Sequence, residues 1–157
     1  MKNSLPASHF YIHRACFSEL SLSQFYQLAK LRQDVFILEQ QSFYPDLDGL
    51  DDQASHFLCY ASSSPDLIGY ARYRQSELQH RVQIERVVLA PSTRGKGLGQ
   101  QLTQTILTDI KQRYPGFSVS LSAQTQVQAF YHALGFVAKG DPYDDAGIEH
   151  ITMVYQA

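Results

Sequence analysis

From Pro91 to Gln100 the chain reads Pro-Ser-Thr-Arg-Gly-Lys-Gly-Leu-Gly-Gln, with three glycines alternating with other residues just where a helical pattern begins. A helix start carries unpaired N–H groups and the positive end of the helix dipole, which together make an anion site. Glycines clear side chains from that start, so phosphate oxygens can reach the N–H groups, and Arg94 and Lys96 add positive charge. The plainer alternative is a tight strand-to-helix turn. Three alternating glycines beside two cations favour the anion site. The Walker pattern fails, because Gly95-Lys96 is followed by Gly97 and not by Ser or Thr. The dinucleotide pattern also fails, because Gln100 stands where its third glycine is required.

Metal chemistry finds no comparable pattern. His9 and His13 are spaced as helical ligands but lie in or beside a strand-like segment. Asp46-Leu-Asp48-Gly49-Leu-Asp51-Asp52 resembles half a calcium loop, but another ligand is required before its glycine. No metal site is expected.

The elements that must hold the glycine segment follow from periodicity. Residues 10–17, 56–62, 67–74, 81–90, 117–123 and 147–156 read as six strands, rich in branched and aromatic residues. The fourth has a nearly continuous apolar centre and predicts burial on both faces. In 21–41, Phe25, Leu28, Leu31, Val35 and Leu38 recur at helical spacing, with Ser21 and Ser23 available as caps. The pattern predicts one long helix or two with a short break. Leu98, Leu102, Ile106 and Ile110 mark a second helix, ended by Pro115-Gly116. Residues 124–136 predict a short third helix ending at Gly135. The sum is an α/β mixed sheet with flanking helices, whose fourth and fifth strands run parallel across a helical crossover.

A chain of 157 residues favours a single domain, 1–157, and its 44% apolar and 18% charged content is that of a soluble globular protein. A formal net charge of -2 argues against broad nucleic-acid binding. No segment is long and apolar enough to span a membrane, and the N-terminus shows no apolar leader. Cys16 and Cys59 lie far apart in apolar runs and read as small buried hydrophobes. A cytoplasmic protein with no nucleic-acid or membrane partner is expected; homodimerisation is left open.

Arg94, Gly97 and Gly99 fit Arg-x-x-Gly-x-Gly, and Ala-Phe-Tyr-His-Ala-Leu-Gly-Phe at 129–136 sets Tyr131 ahead of Gly135-Phe136. The pair resembles the two signature motifs of the GNAT acyltransferase superfamily, and the resemblance runs from about Phe10 to Met153. Within it, 31–40, 44–52, 122–136 and 147–153 are similar to the ElaA-like branch.

The resemblance implies acetyl-CoA as cosubstrate and a primary amine, on a small molecule or an exposed peptide or protein group, as acceptor. It implies that the fourth and fifth strands splay apart, with Val87, Val88 and Leu89 offering backbone groups to pantetheine. Arg94, Gly95, Lys96, Gly97, Leu98, Gly99 and Gln100 would take the pyrophosphate. Gln124 stands where the family often has asparagine. Tyr131 is implied near the thioester sulfur, and Glu85, just before the apolar run of the fourth strand, is the first candidate base; the plainer alternative is a strand-edge carboxylate or a structural partner for Arg86 or Arg72. Glu39, Glu149 and His150 compete with it. Asp48 and Asp51, with Asp46 and Asp52, form either a solvated connection or a collar that attracts a protonated amine; Glu39 and His150 join them on the acceptor side. A non-catalytic acyl-CoA-binding module and a phosphate-binding interaction domain are the alternatives to an N-acetyltransferase.

Overall fold

The computed structural model describes residues 9–156, so the first eight residues of the leader reading lie outside it. Among the described residues there are seven strands: β1 Phe10–Cys16, β2 Ser55–Ala61, β3 Leu67–Ser76, β4 Arg81–Leu89, β5 Ser118–Gln124, β6 Phe136–Asp145 and β7 Ile148–Tyr155. They form one sheet in the order β1-β2-β3-β4-β5-β7-β6. The β4–β5 pair is parallel and the others are antiparallel. A parallel pair needs a crossover, and helix α2, Leu98–Arg113, supplies it.

The sixth strand in sequence, β6, escaped the sequence reading. Gly140 and Pro142 interrupt it, and its register with β7 shifts between Lys139 and Tyr143. A proline is tolerated there because β6 is an edge strand.

Alternation sends the sheet's apolar residues to two cores. Phe57, Ala71, Val82, Ile84, Leu121 and Ala123 meet α2, whose Leu98, Leu102, Ile106 and Ile110 are at most 2% exposed. Leu58, Tyr60, Tyr70 and Val88 point the other way, onto Leu28, Leu31 and Val35. The last three lie on helix α1, Leu22–Arg32, and its π-helical continuation, Gln33–Glu39. Ser21 caps α1: its Oγ accepts from Gln24 N at 3.0 Å while Gln24 Oε1 accepts from Ser21 N. Helix α3, Gln128–Ala133, packs with α2 on the first face.

Three expectations need correction. Leu38 leaves the apolar stripe and is 62% exposed, because the π-winding, closed by Gln40 N on the Val35 carbonyl, rotates its face away. Cys16 is half-buried, whereas Cys59 is buried as expected. Strand β4 is not buried on both faces along its length: Val82, Ile84 and Val88 are, but Glu85, Arg86 and Val87 are not.

The cause is a β-bulge. Arg72 lies opposite Glu85 and Tyr70 opposite Val88, so Arg86 and Val87 together face Ala71 alone, and Arg86 takes a left-handed φ of 58°. Pairing of β4 with β5 runs only from Arg81↔Ser118 to Ile84↔Leu121. Beyond it β5 pairs with β7 alone, so the two central strands part just before the bulge.

Candidate active site

The gap between β4 and β5 leads to the glycine segment. A 3₁₀ turn, Pro91–Thr93, ends β4's run and is held by Thr93 Oγ1 donating to the Ala90 carbonyl at 2.8 Å. Gly95 and Gly97 then take φ of 75° and 83°, and Gly97 is the N-cap of α2. The first helical bond is Gln101 N to the Gly97 carbonyl, so the N–H groups of Leu98, Gly99 and Gln100 have no acceptor within the helix. A Cβ at Gly95 or Gly97 would meet no atom within 4 Å; the backbone there is bare. Gly99 serves another purpose. Its Cβ would stand 3.3 Å from Phe130 Cζ and 3.4 Å from Leu89 Cδ1, so its lack of a side chain lets α2 close on α3 and β4. Leu98 is core, and Lys96 and Gln100 are on the surface.

Arg94 is forked onto Glu39, Nη1 to Oε1 and Nη2 to Oε2 both at 2.7 Å, and Nη2 also reaches the Leu89 carbonyl at 3.2 Å. This pair ties the glycine segment to the π-helical turns and, through the hydrogen bond to Arg94, holds the Glu39 carboxyl below its ordinary range. Val87, Val88 and Leu89 lie on the β4 segment whose β5-facing edge is unpaired.

Tyr131 stands on α3, buried against Phe130 and Phe136 at centroid distances of 5.1 and 5.7 Å. Burial pushes its hydroxyl up to about 12, so it keeps its proton at neutral pH and can act as a donor.

Glu85 is placed differently from a free base. Its Oε2 accepts from Arg72 Nε at 2.9 Å and Arg74 Nε at 3.0 Å, and its Oε1 accepts from Arg74 Nη2 at 2.6 Å. Burial raises its pKa, but the two guanidiniums outweigh burial and hold the carboxyl low. A carboxylate so paired is a weak proton acceptor.

The acidic loop is tied into the fold by arginines and is not a merely solvated connection. Arg72, fully buried, donates through Nη1 to Asp51 at 2.7 Å and through Nη2 to Asp48 at 2.6 Å. Arg32, also fully buried, donates to Asp46 at 2.9 Å and Asp51 at 2.7 Å. Arg86 donates to Asp48 at 3.2 Å and lies over the Tyr44 ring. Arg86 Nε is 2.9 Å from Asp46 Oδ1 but is not aimed at it, which makes an ion pair without a hydrogen bond. The charges of Asp48 and Asp51 are thus spent on arginines, and only Asp52 of the four is exposed. Burial raises the Asp48 pKa, yet hydrogen bonds from Arg72 and Leu50 N bring it to about 2. The sequence offered Arg72 and Arg86 as structural partners for Glu85, and Arg72 fills that role together with Arg74; the pairing of Arg32, Arg72 and Arg86 with the acidic loop was missed.

At the far wall of the gap, Gln124 ends β5, donates to Gln40 Oε1 at 2.9 Å and accepts from Gln126 at 2.8 Å. His150, on the neighbouring strand β7, lies opposite it, with Nδ1 2.7 Å from the Ile148 carbonyl. Glu149 accepts from Thr125 Oγ1 at 2.9 Å. The β6–β7 turn meets the acidic loop through Ser42 Oγ, which donates to the Ala146 carbonyl at 2.9 Å. Among the described residues no three His, Cys, Asp or Glu side chains gather as metal ligands.

Comparison with known proteins places this arrangement. Residues 24–157 match the acetyltransferase (GNAT) domain. The chain is 37% identical to the protein ElaA of Escherichia coli over 137 residues, 87% of this chain and 90% of that one. A UPF0039 protein of Synechocystis is 35% identical over 141 residues, 89% and 91% of the two chains. The crystal structure of E. coli ElaA superposes with a TM-score of 0.87 at 35% identity, covering 94% of this chain and 99% of the other. An acyl-CoA N-acyltransferase from Pseudomonas aeruginosa does so with a TM-score of 0.86 at 33% identity, with the same coverage. With its splayed strands, its glycine-bared helix start and these relatives, the chain belongs to the GNAT acetyltransferase family, next to ElaA.

Proposed function

We propose that this chain is an acetyl-CoA-dependent N-acetyltransferase that passes the acetyl group directly to a primary amine. One observation carries the reading: β4 and β5 part beyond Ile84 and Leu121, and the gap runs to the unpaired N–H groups after Gly97. In this reading the β5-facing edge of Val87, Val88 and Leu89 meets the pantetheine amides like an added strand, and an N–H at Val88 or Leu89 steadies the developing oxyanion. Arg94 to Gln100 hold the pyrophosphate, with Gln124 on the opposite wall. Tyr131 gives a proton to the departing thiolate, for which its retained proton suits it. Glu39 borders the acceptor side.

Direct transfer is favoured over an acyl-cysteine route. Cys59 is fully buried and its thiol is pushed up to about 12 by burial, so it is not a thiolate nucleophile. Free thiols at Cys16 and Cys59 suit a cytoplasmic setting, proposed with the activity. No described helix is long and apolar enough to cross a membrane.

The second reading, an acyl-CoA-binding module without turnover, draws on Glu85, whose pairing with Arg72 and Arg74 withholds the first candidate base. One experiment separates them. Acetyl-CoA is incubated with a panel of amines, peptides and aminoglycoside-like compounds, and free thiol is read. Amine-dependent thiol release supports transfer. Calorimetric binding without release supports the module, and no binding ends both.

A further inference from the structure

The β-sheet assigns the two sides of the gap different chemistry. Ile84 and Ala123 point into the α2 core, so Glu85, Ser122 and Gln124 point to the other face. Antiparallel partners share a face, which puts His150, opposite Gln124, and Tyr143, opposite His150, there as well. Tyr131 belongs to the α2 core. A proton-bearing phenol thus lies on the α2 face of the sheet, and an imidazole on the opposite face, on β7, one strand beyond the β5 wall of the gap.

That imidazole has a fixed tautomer. Its Nδ1 lies 2.7 Å from the Ile148 carbonyl, which can only accept, so Nδ1 carries the hydrogen. In the neutral ring Nε2 is then left with its lone pair. The ring is also held in place: Tyr143 stacks beside it at 6.3 Å and 24°, and the Tyr143 hydroxyl is hydrogen-bonded to Ser122 Oγ. The nearby carboxylates are otherwise engaged. Glu149 accepts from Thr125, Asp144 from Gly147 N at 3.3 Å, and Glu39 from Arg94; Asp145, at the hairpin turn, is exposed. Glu85, on the same face, is saturated by two guanidiniums.

We propose that His150 Nε2 is the base that takes the proton from the acceptor amine, on the sheet face opposite Tyr131. This rests on the acyl-transfer reading above and replaces Glu85 in the first proton transfer. An ammonium acceptor gives one proton to Nε2. The freed lone pair on nitrogen forms the C–N bond to the thioester carbonyl carbon, and the C–S bond breaks with its electron pair on sulfur. Tyr131 supplies a proton to sulfur and is refilled from solvent; the new amide nitrogen and His150 each release a proton to solvent. One proton is released overall.

The test uses the full chain, His150→Gln, and two acceptor sets: primary alkylamines, including diamines and lysine amide, and their alkoxyamine counterparts. The alkoxyamines are already unprotonated at neutral pH and need no base for the first step. With alkylamines, turnover of the variant should fall by roughly 10²–10⁴-fold. Acetyl-CoA affinity by calorimetry should stay within about twofold, and the loss should shrink by at least about tenfold with the alkoxyamines. A merely structural histidine would cost the same with both sets, and that uniform loss overturns the proposal. So does an unchanged rate when chemistry is limiting. If the wild-type chain releases no thiol with any acceptor, the transfer reading falls and the base assignment with it. If the wild type transfers and the variant equals it, the base assignment alone falls.

Discussion

Arg72 and Glu85 face each other across β3 and β4, Nε to Oε2 at 2.9 Å, at the last paired position before the bulge. The pair locks the strand just where it leaves its neighbour. Arg72 continues to Asp48 and Asp51, so one buried guanidinium joins β3, β4 and the acidic loop. Arg86, thrown onto this face by the bulge, closes the same loop from β4. The network is a buttress beside the point where β4 leaves β5. Breaking a buried pair is strongly destabilising because the remaining charge has no partner.

Glu85→Gln tests buttress against base. An amide presents a donor to guanidiniums that are themselves only donors. The variant should lose stability at the lower end of roughly 3–5 kcal/mol, since Arg74 is partly exposed. Molecules that remain folded should keep most of their turnover. Urea denaturation and amine-dependent thiol release check this. Unchanged stability with collapsed turnover would restore Glu85 as the base.

Gly97→Val tests the cradle. A β-branched residue at φ 83° is strained by roughly 1–3 kcal/mol, and its side chain would project over the bare helix start. Calorimetric acetyl-CoA affinity should fall by at least about tenfold, a loss of about 1.4 kcal/mol. Lys96→Ala should cost less, because Lys96 is exposed and Arg94 shares its charge. Equal affinity of Gly97→Val and wild type would remove the cradle.

Much of this was legible in the chain. Leu98, Leu102, Ile106 and Ile110 announced α2, and the Tyr131-to-Phe136 spacing announced α3. What stayed hidden depended on long-range pairing. Asp48 meets Arg72 across 24 residues and Asp46 meets Arg86 across 40, and no local pattern links them. The loop therefore read as a solvated turn or a collar. The bulge at Arg86 leaves no mark in a run of branched residues, and β6 was concealed by the glycine and proline that an edge strand tolerates. For Glu85 the sequence left base and structural partner of Arg72 or Arg86 both open, because only the β3–β4 register brings Arg72 and Arg74 onto it.

Tyr131→Phe tests the proton donor. The ring packs between Phe130 and Phe136, so phenylalanine should preserve the fold and leave acetyl-CoA affinity near normal. Turnover should fall, by less than the roughly 10²–10⁴-fold of a full acid catalyst, because a thiolate leaves readily. Single-turnover kinetics give the readout. An unchanged chemical step would take Tyr131 out of the mechanism, and loss of folding would make it a core residue only.

The buttress also fixes how stability depends on acid. Asp48 is brought to about 2 in the folded chain from an ordinary 3.8, and Asp51 and Glu85 are lowered as well. Between these limits the unfolded chain binds more protons than the folded one, so stability rises with pH there. The contribution is complete above about pH 4 and disappears as pH falls through about 2. Asp48→Asn removes that titration and leaves Arg72 and Arg86 short of a carboxylate. Its melting temperature should therefore lie below wild type at pH 7, and the gap should narrow as pH is lowered from 4 toward 2. Melting curves across that range, read by circular dichroism, decide the matter. A constant gap between the two proteins would mean that Asp48 does not exchange its charge with Arg72 in the folded state.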